Sequence, residues 1–174
     1  MMKLLAALVV LMLPAPAPGP ANRDAAERIK ALEGTWQGRS SKGWEDRVSF
    51  QVIAGGSCVV ERSDFDAHPG ETMLTMFHMD GGELMLTHYC VAKNQPRLRA
   101  TEISPDLKTI VFTFRDATNL ASRDQGHMDK AVFRFLDENR FTAQWTWYQN
   151  GQERWLETIE LVRVPRPKEE QPQM

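Results

Sequence analysis

From Gly34 onward the sequence is a succession of short runs in which apolar and polar residues alternate, with glycine, proline, asparagine or aspartate between runs. A period of two residues is typical of β-strands, and the helical period of 3.6 does not return after Gly34. The pattern predicts strands at residues 35–41, 46–53, 57–65, 72–79, 83–91, 97–103, 109–115, 130–136, 140–149 and 153–164.

The connections between these runs are turn sequences. Gly55-Gly56, Gly81-Gly82 and Asn150-Gly151 can adopt the positive φ angles that two-residue hairpins require. Ser104-Pro105-Asp106 and Asp137-Glu138-Asn139 suit turns of other types. About ten strands joined by hairpins predict an all-β, antiparallel up-and-down meander, which can remove its edges by closing into a barrel. An open sandwich is the alternative, because periodicity does not distinguish the two.

The first residues have the pattern of a secretory signal. Lys3 precedes an apolar run at residues 4–13, and small residues and prolines follow. The run has about ten residues, whereas a spanning helix needs about 20. We therefore expect a signal peptide at residues 1–21, cleavage before Asn22, no membrane span in the mature chain, and an exported protein that is periplasmic or extracellular.

The remaining chain has the composition of one globular domain, at residues 22–164. Ala25, Ile29 and Leu32 lie at helical spacing, which predicts a short N-terminal helix. The segment 165–174 is rich in proline and charge, which predicts a disordered tail. With 21 basic and 23 acidic side chains the net charge is −2. No basic patch is apparent, so nucleic acid is not an expected partner.

Several motifs resemble those of known barrels. The segment LEGTWQG, which contains Trp36, looks like the opening strand of lipocalin-like (calycin) barrels, in which a Gly-x-Trp closes the barrel floor. The resemblance implies that Arg163 stacks on Trp36. Most of the mature chain also resembles an uncharacterised family of exported bacterial lipocalin-like barrels, through HMDG at 78–81, LTHYC at 86–90, NQPR at 94–97, DATNL at 116–120, GHM at 126–128 and Trp145 ahead of Asn150-Gly151. That family implies a fold and no reaction.

Two histidines flank the Gly81-Gly82 turn. A two-residue turn makes Asp80 the cross-strand partner of Glu83, which places His78 and His88 on opposite faces. Zinc needs three or four converging ligands, so this pair does not predict a metal site. His88 and Cys90 share a face, with His127 as the available third ligand. We expect His88 to face the barrel interior.

The two cysteines lie in strands that are not neighbours in a meander. Cys58 belongs to the third predicted strand and Cys90 to the fifth. Two strand spacings are about 9.6 Å, whereas the Cα atoms of a disulfide lie within about 7 Å. We therefore expect both thiols to be free.

The last hairpin, around Asn150-Gly151, carries an aromatic surface. A two-residue turn gives partner numbers that sum to 301 and would place Trp145 and Trp147 on one face with Phe141, Ala143, Arg154, Leu156, Thr158, Glu160 and Val162. The tryptophans fit either core packing or ligand stacking. Arg99, Arg134 and Arg154 are candidates to meet an acidic head group.

The leading hypothesis is a barrel that binds a small, largely apolar ligand in its interior, without a cofactor. The candidate binding residues are His88, Tyr89, Asn94, Asn119, His127, Trp145 and Trp147. Because Tyr89 and His88 alternate along one strand, only one of them can face inward.

Three alternatives remain open. The first is a barrel enzyme, of hydrolase or isomerase type, that uses Asp116, His127 or Glu102 at the barrel mouth, although no nucleophile motif is present. The second is an envelope module that binds a protein and has a filled core. Haem binding through His127 is less well supported, since no histidine follows it in the last two strands.

Overall fold

The structure, a computed structural model, describes residues 19–165, apart from the side chains of Trp155 and Leu156. One helix precedes ten strands, and a single 3₁₀ turn (Ala54–Gly56) lies between the second and third of them. The elements are α1 (Pro20–Lys30), β1 (Gly34–Ser40), β2 (Glu45–Ile53), β3 (Cys58–Phe65), β4 (Thr72–Asp80), β5 (Glu83–Tyr89), β6 (Gln95–Ile103), β7 (Thr109–Thr118), β8 (His127–Phe135), β9 (Arg140–Gln149) and β10 (Gln152–Arg163).

The strands form a closed antiparallel barrel. Each strand pairs with its neighbours in sequence, and β10 pairs with β1 to complete the circle. The predicted ten-stranded meander barrel is confirmed, and the open sandwich is wrong. The largest shifts in strand bounds surround the β7–β8 connection, where β7 continues to Thr118 and β8 begins at His127.

The barrel has two different ends. The helix α1 lies across the end that contains the β4–β5 turn, where the Asn22 side chain accepts a hydrogen bond from the backbone N–H of Leu84 at 3.0 Å. Ala25 and Ile29 are buried against the strands. We call this the floor end, and the opposite end, which carries the β1–β2, β3–β4, β5–β6, β7–β8 and β9–β10 connections, the open end.

Trp36 and Arg163 hold the floor end together. The indole N–H of Trp36 donates to the Leu32 carbonyl at 2.8 Å, and the Arg163 guanidinium lies 4.2 Å above the centre of the Trp36 ring. Arg163 also donates to the carbonyls of Glu33 and Ala31 at 2.7 and 2.8 Å. The stack implied by the lipocalin-like resemblance is therefore present.

Aromatic side chains fill the floor half of the interior. Phe77, Phe112 and Phe133 contact one another edge to face, with ring centres 5.7 to 6.0 Å apart. Phe141 packs between Trp36 and this group. Such pairs add to the burial of apolar area, which is the main stabilising contribution. These aromatic side chains make the floor half of the barrel interior a packed core.

The Gly81-Gly82 turn has the predicted register. The two glycines have φ angles of 56° and 103°, Asp80 pairs with Glu83, and Thr75 pairs with His88. The strand β4 separates Cys58 from Cys90, and both cysteines are free.

The register of the last hairpin departs from the prediction. Gln149 pairs with Gln152 as expected, but the register shifts between Glu153 and Trp155, so that Glu157 pairs with Trp145. A β-bulge adds one residue to β10, and a one-residue shift exchanges the two faces of a strand. The predicted inward positions Glu160 and Val162 are therefore exposed, and Glu157, Ile159 and Leu161 are buried instead.

Part of the predicted organisation falls on residues outside the described range. Residues 1–18, most of the predicted signal segment, and residues 166–174, most of the predicted tail, are not described. Between residues 19 and 165, no helix is both long and apolar enough to cross a membrane.

Candidate functional site

A cavity of about 350 Å³ lies at the open end of the barrel. Its volume is at the lower end of the range typical of small-molecule sites. The walls are mainly apolar, and a few polar side chains interrupt them. The lining residues are Trp44, Phe65, His68, Glu71, Met73, Cys90, Val91, Ala92, Met128, Trp147 and Glu157.

Strand alternation explains most of this wall. Phe65, Met73 and Trp147 occupy the last inward-facing positions of β3, β4 and β9 before the open-end loops. Trp147 lies against Gly126, where a Cβ atom would be only 2.3 Å from the indole Cζ2. A glycine is therefore needed in the β7–β8 connection to let this tryptophan form the wall.

A polar layer lies one step deeper in the barrel. Moving two residues along a strand keeps the same face and advances by about 6.6 Å. Four residues each lie two positions along the chain from a cavity-lining residue and deeper in the barrel. Ser63 lies below Phe65, Thr75 below Met73, His88 below Cys90 and Trp145 below Trp147, and all four are buried. This layer separates the cavity from the aromatic core.

His88 lies in this layer and is 5% exposed. Its Nδ1 is 3.0 Å from the Thr75 hydroxyl, and its ring centre is 4.9 Å from that of Trp145. Burial lowers the pKa of His88 to about 4, so the ring is neutral at pH 7. Among the described residues, Nε2 has no hydrogen-bond partner.

Two buried carboxyl groups flank the Ser63 hydroxyl. Asp46 Oδ2 and Glu61 Oε1 each lie 3.4 Å from Ser63 Oγ. Burial raises the pKa of Asp46 to about 7, and the charge of Glu157 adds to the effect although Ser63 opposes it. Burial and then the charge of Asp46 raise the pKa of Glu61 to about 8, against the hydroxyls of Thr75 and Ser63. The second oxygen of each carboxyl has no partner within the described part of the chain.

Glu157 is the acid that reaches the cavity wall. It is 3% exposed and accepts a hydrogen bond from the Ser40 hydroxyl at 2.6 Å. Burial raises the pKa of Glu157, while Ser40, Trp44 and the charges of Lys42 and His68 act in the opposite direction.

Sequence reasoning missed all three acids. Glu157 enters the interior only through the bulge in β10, which has no turn-like signature in the sequence. Asp46 and Glu61 could have been identified from the alternation of their strands. Asp46 lies two residues before the inward-facing Val48 in β2, and Glu61 lies two residues after the inward-facing Val59 in β3. A carboxyl group at an inward strand position is a candidate site residue.

Four of the predicted ligand-binding residues lie at or just beneath the cavity. Trp147 lines it, and Trp145 and His88 lie one step deeper. Asn94 is fully buried and its side-chain N–H donates to the Gly126 carbonyl at 2.8 Å. Asn94 therefore fixes the backbone on which Trp147 rests, while its Oδ1 lacks a partner among the described residues.

The other three predicted residues do not line the cavity. Tyr89 lies on the outer face and is 47% exposed, as its alternation with His88 requires. Asn119 is exposed and its side chain donates to Gln95.

His127, the third of these residues, is buried between the rings of Phe114 and Tyr148. Its Nδ1–H donates to the carbonyl of Gln125, and its Nε2 contacts the Arg123 guanidinium. Both ring nitrogens are engaged, which disfavours a role as a haem ligand.

Other candidates from the sequence lie on the outer surface. Asp116 forms a two-point ion pair with Arg97, and Glu102 is exposed. Arg99, Arg134 and Arg154 are also exposed, so these candidates for contact with an acidic head group do not face the interior. Among residues 19–165, no three His, Cys, Asp or Glu side chains are grouped as metal ligands.

A second cavity, of about 240 Å³, lies at the floor end between α1 and the strands β3 to β5. Cys58 and His78 line it and are cross-strand partners. Among the described residues, none of the buried polar atoms without a hydrogen-bond partner belongs to the lining of this second cavity. The open-end cavity is therefore the stronger candidate site.

No family model matches this chain, and no curated protein matches it. Among solved structures it is similar to Rv2717c from M. tuberculosis, with a TM-score of 0.58 and 15% identity over 85% of this chain and 99% of that one. It is also similar to a protein of unknown function from the DUF3598 family of Nostoc punctiforme PCC 73102, with a TM-score of 0.51 and 11% identity over 78% of this chain. The chain spans about half the length of that second protein, of which 49% is covered. At these identities the likeness shows a shared fold and nothing about activity.

Proposed function

We propose that the protein binds a small, largely apolar ligand in the open-end cavity. One observation supports this proposal most directly. The cavity has a volume of about 350 Å³ and mainly apolar walls, and it lies above a layer of buried polar side chains. Apolar walls with a few placed polar groups are typical of small-molecule sites.

The distribution of packing supports this location. The floor half of the interior is filled by phenylalanine side chains, so the ligand would occupy only the upper part of the barrel. A completely filled core, as a protein-binding module would have, does not describe the open end. Trp147 and Met73 offer a flat ring and a flexible thioether, which suit an apolar guest.

The test uses N-phenyl-1-naphthylamine, an uncharged apolar dye whose fluorescence rises when it leaves water. We expect saturable binding to the wild-type protein. Ala92→Trp fills the cavity from a loop position and should weaken dye binding by about tenfold or more, a loss of about 1.4 kcal/mol. Ala121→Trp is the matched control, because Ala121 is exposed in the β7–β8 connection and does not line the cavity.

Equal dye binding by the Ala92→Trp and Ala121→Trp variants would reject the open-end cavity as the site. Native mass spectrometry of the purified protein gives a second measurement. A bound small molecule that is lost in Ala92→Trp and kept in Ala121→Trp is the expected result.

We also propose that the chain is exported and that the mature protein begins at Asn22. The signal-like segment supports export. Cleavage at this point would remove only Pro20 and Ala21 from α1 and would keep the Asn22 contact to Leu84. N-terminal sequencing of the protein recovered from the periplasm or the medium tests both statements, and recovery of the full-length chain from the cytoplasm alone would reject them.

A further inference from the structure

Three carboxyl groups lie in or beside the polar layer without a bonded cation. Asp46, Glu61 and Glu157 are each less than a tenth exposed, and no salt bridge to any of them forms among the side chains described. The charges of Lys42 and His68 act on Glu157 alone of the three. A buried carboxyl without a compensating cation favours its neutral form, and a bound cation would favour release of its proton to solvent and formation of an ion pair.

The same layer has buried polar atoms that lack hydrogen-bond partners. In the described residues, Asp46 Oδ1, Glu61 Oε2 and His88 Nε2 have no partner. In the tautomer of the neutral ring that carries its proton on Nδ1, His88 donates to the Thr75 hydroxyl and Nε2 is an acceptor. His88 is an observation independent of the acids, because it places a buried ring nitrogen without a partner in the same layer.

Glu157 and His88 lie at and beneath the open-end cavity, respectively. Glu157 is part of the cavity wall. His88 lies on the same face of the chain as Cys90, two residues deeper, and Cys90 lines the cavity. The rings of Trp145 and Trp147 lie on the neighbouring strand β9, where their faces can attract a cation.

We propose that the ligand of the open-end cavity carries a protonated amine, which Glu157 and the carboxyl groups of Asp46 and Glu61 recognise. This inference rests on the proposed function and names the chemical class of the ligand. An ammonium group supplies three donors and a positive charge, which match the acceptors and the unpaired carboxyls. The apolar part of the ligand would lie against Phe65, Met73 and Trp147.

The experiment compares two probes that share one apolar chain. Octylamine, protonated at pH 7.5, and 1-octanol, uncharged, compete for bound N-phenyl-1-naphthylamine. We expect octylamine to displace the dye at a concentration at least tenfold lower than octanol does. Glu157→Gln and Glu61→Gln should each reduce this preference to threefold or less, whereas Glu160→Gln, an exposed neighbour on β10, should keep it.

The outcomes separate the two proposals. Equal potency of octylamine and octanol on the wild-type protein would overturn the recognition of an amine and leave the cavity as an apolar site. Displacement by neither probe, together with no dye binding, would overturn the proposed function itself. A preference for octylamine that survives in Glu157→Gln, in a variant that still unfolds cooperatively by circular dichroism, would overturn the assignment of these carboxyls.

Discussion

Glu157 on β10 pairs with Trp145 on β9, across a ladder that a bulge has shifted by one residue. The consequence is that an acid enters the barrel interior beside an aromatic wall, where it accepts a hydrogen bond from Ser40. Without the bulge, residue 157 would face solvent and Glu160 would face inward. The bulge in β10 therefore places Glu157 in the wall of the open-end cavity.

Replacement of Glu61 by glutamine should flatten the dependence of stability on pH. The pKa of Glu61 is raised to about 8 in the fold, so the folded state binds this proton more tightly than the unfolded chain does. Stability from this group is present at low pH and is lost as pH rises through about 8. Between pH 5 and pH 9, the free energy of unfolding measured in urea should fall by on the order of 1–3 kcal/mol more for the wild type than for Glu61→Gln.

The exposed Glu160→Gln variant is the control for this measurement. Asp46, whose pKa is raised to about 7, should leave a smaller residual slope in Glu61→Gln. Parallel stability curves for the wild type and Glu61→Gln would contradict the burial of Glu61 as a neutral acid.

His88 should remain neutral in the folded protein well below pH 6. Burial lowers its pKa to about 4, so the fold disfavours the protonated ring and its contribution to stability is lost as pH falls from about 6.5 towards 4. Nuclear magnetic resonance of the imidazole groups should show a His88 signal that does not shift between pH 8 and pH 5. The spectrum of His88→Gln assigns the signal, and a midpoint near pH 6.5 would contradict the prediction.

A methyl group at position 126 should disturb the cavity wall. A Cβ on Gly126 would lie 2.3 Å from Trp147 Cζ2, so the indole must move. We expect Gly126→Ala to reduce the free energy of unfolding by about 1–3 kcal/mol, the usual cost of overpacking. It should also weaken binding of N-phenyl-1-naphthylamine.

Ser122→Ala is the comparison for Gly126→Ala, because Ser122 is an exposed residue of the same β7–β8 connection. Wild-type stability and dye binding in Gly126→Ala would show that Trp147 is not held against the β7–β8 connection.

Removal of the Arg163 side chain should weaken the floor end without touching the cavity. Arg163→Ala loses the stack on Trp36 and the hydrogen bonds to the Ala31 and Glu33 carbonyls. We expect a loss of about 2–3 kcal/mol in urea unfolding. Arg163→Lys should recover only part of it, because an ammonium cannot stack or donate in the same plane.

Arg134→Ala, at an exposed position of β8, is the control for Arg163→Ala. Its effect should stay within about 0.5 kcal/mol of zero. Dye binding by Arg163→Ala, measured where the variant is folded, should equal that of the wild type.

Much of the fold could be predicted from local patterns. Alternation predicted all ten strands, and the Gly81-Gly82 turn predicted the register that points His88 inward and Tyr89 outward. These predictions succeeded because a strand has a fixed period of two and a two-residue turn leaves no choice of pairing.

The site was predicted less completely. His88, Trp145 and Trp147 come together at the open end, but His127 is held in a separate cluster by Arg123 and Phe114. Residues in a long connection carry no period that fixes their direction, so the sequence could not separate the interior from the surface there.

Local sequence patterns specify an antiparallel meander with one helix, because hydrophobic periodicity and turn residues act over a few neighbouring positions. Tertiary contacts are needed to close the sheet, to fill the floor half with phenylalanines, and to bring Asp46 and Glu61 near Glu157 in the cavity wall. Asp46 and Glu61 are brought together by the pairing of β2 with β3, and Glu157 reaches them only after β10 has closed the barrel with a bulge. Contacts between residues more than a hundred positions apart depend on that closure, and no short-range pattern contains it.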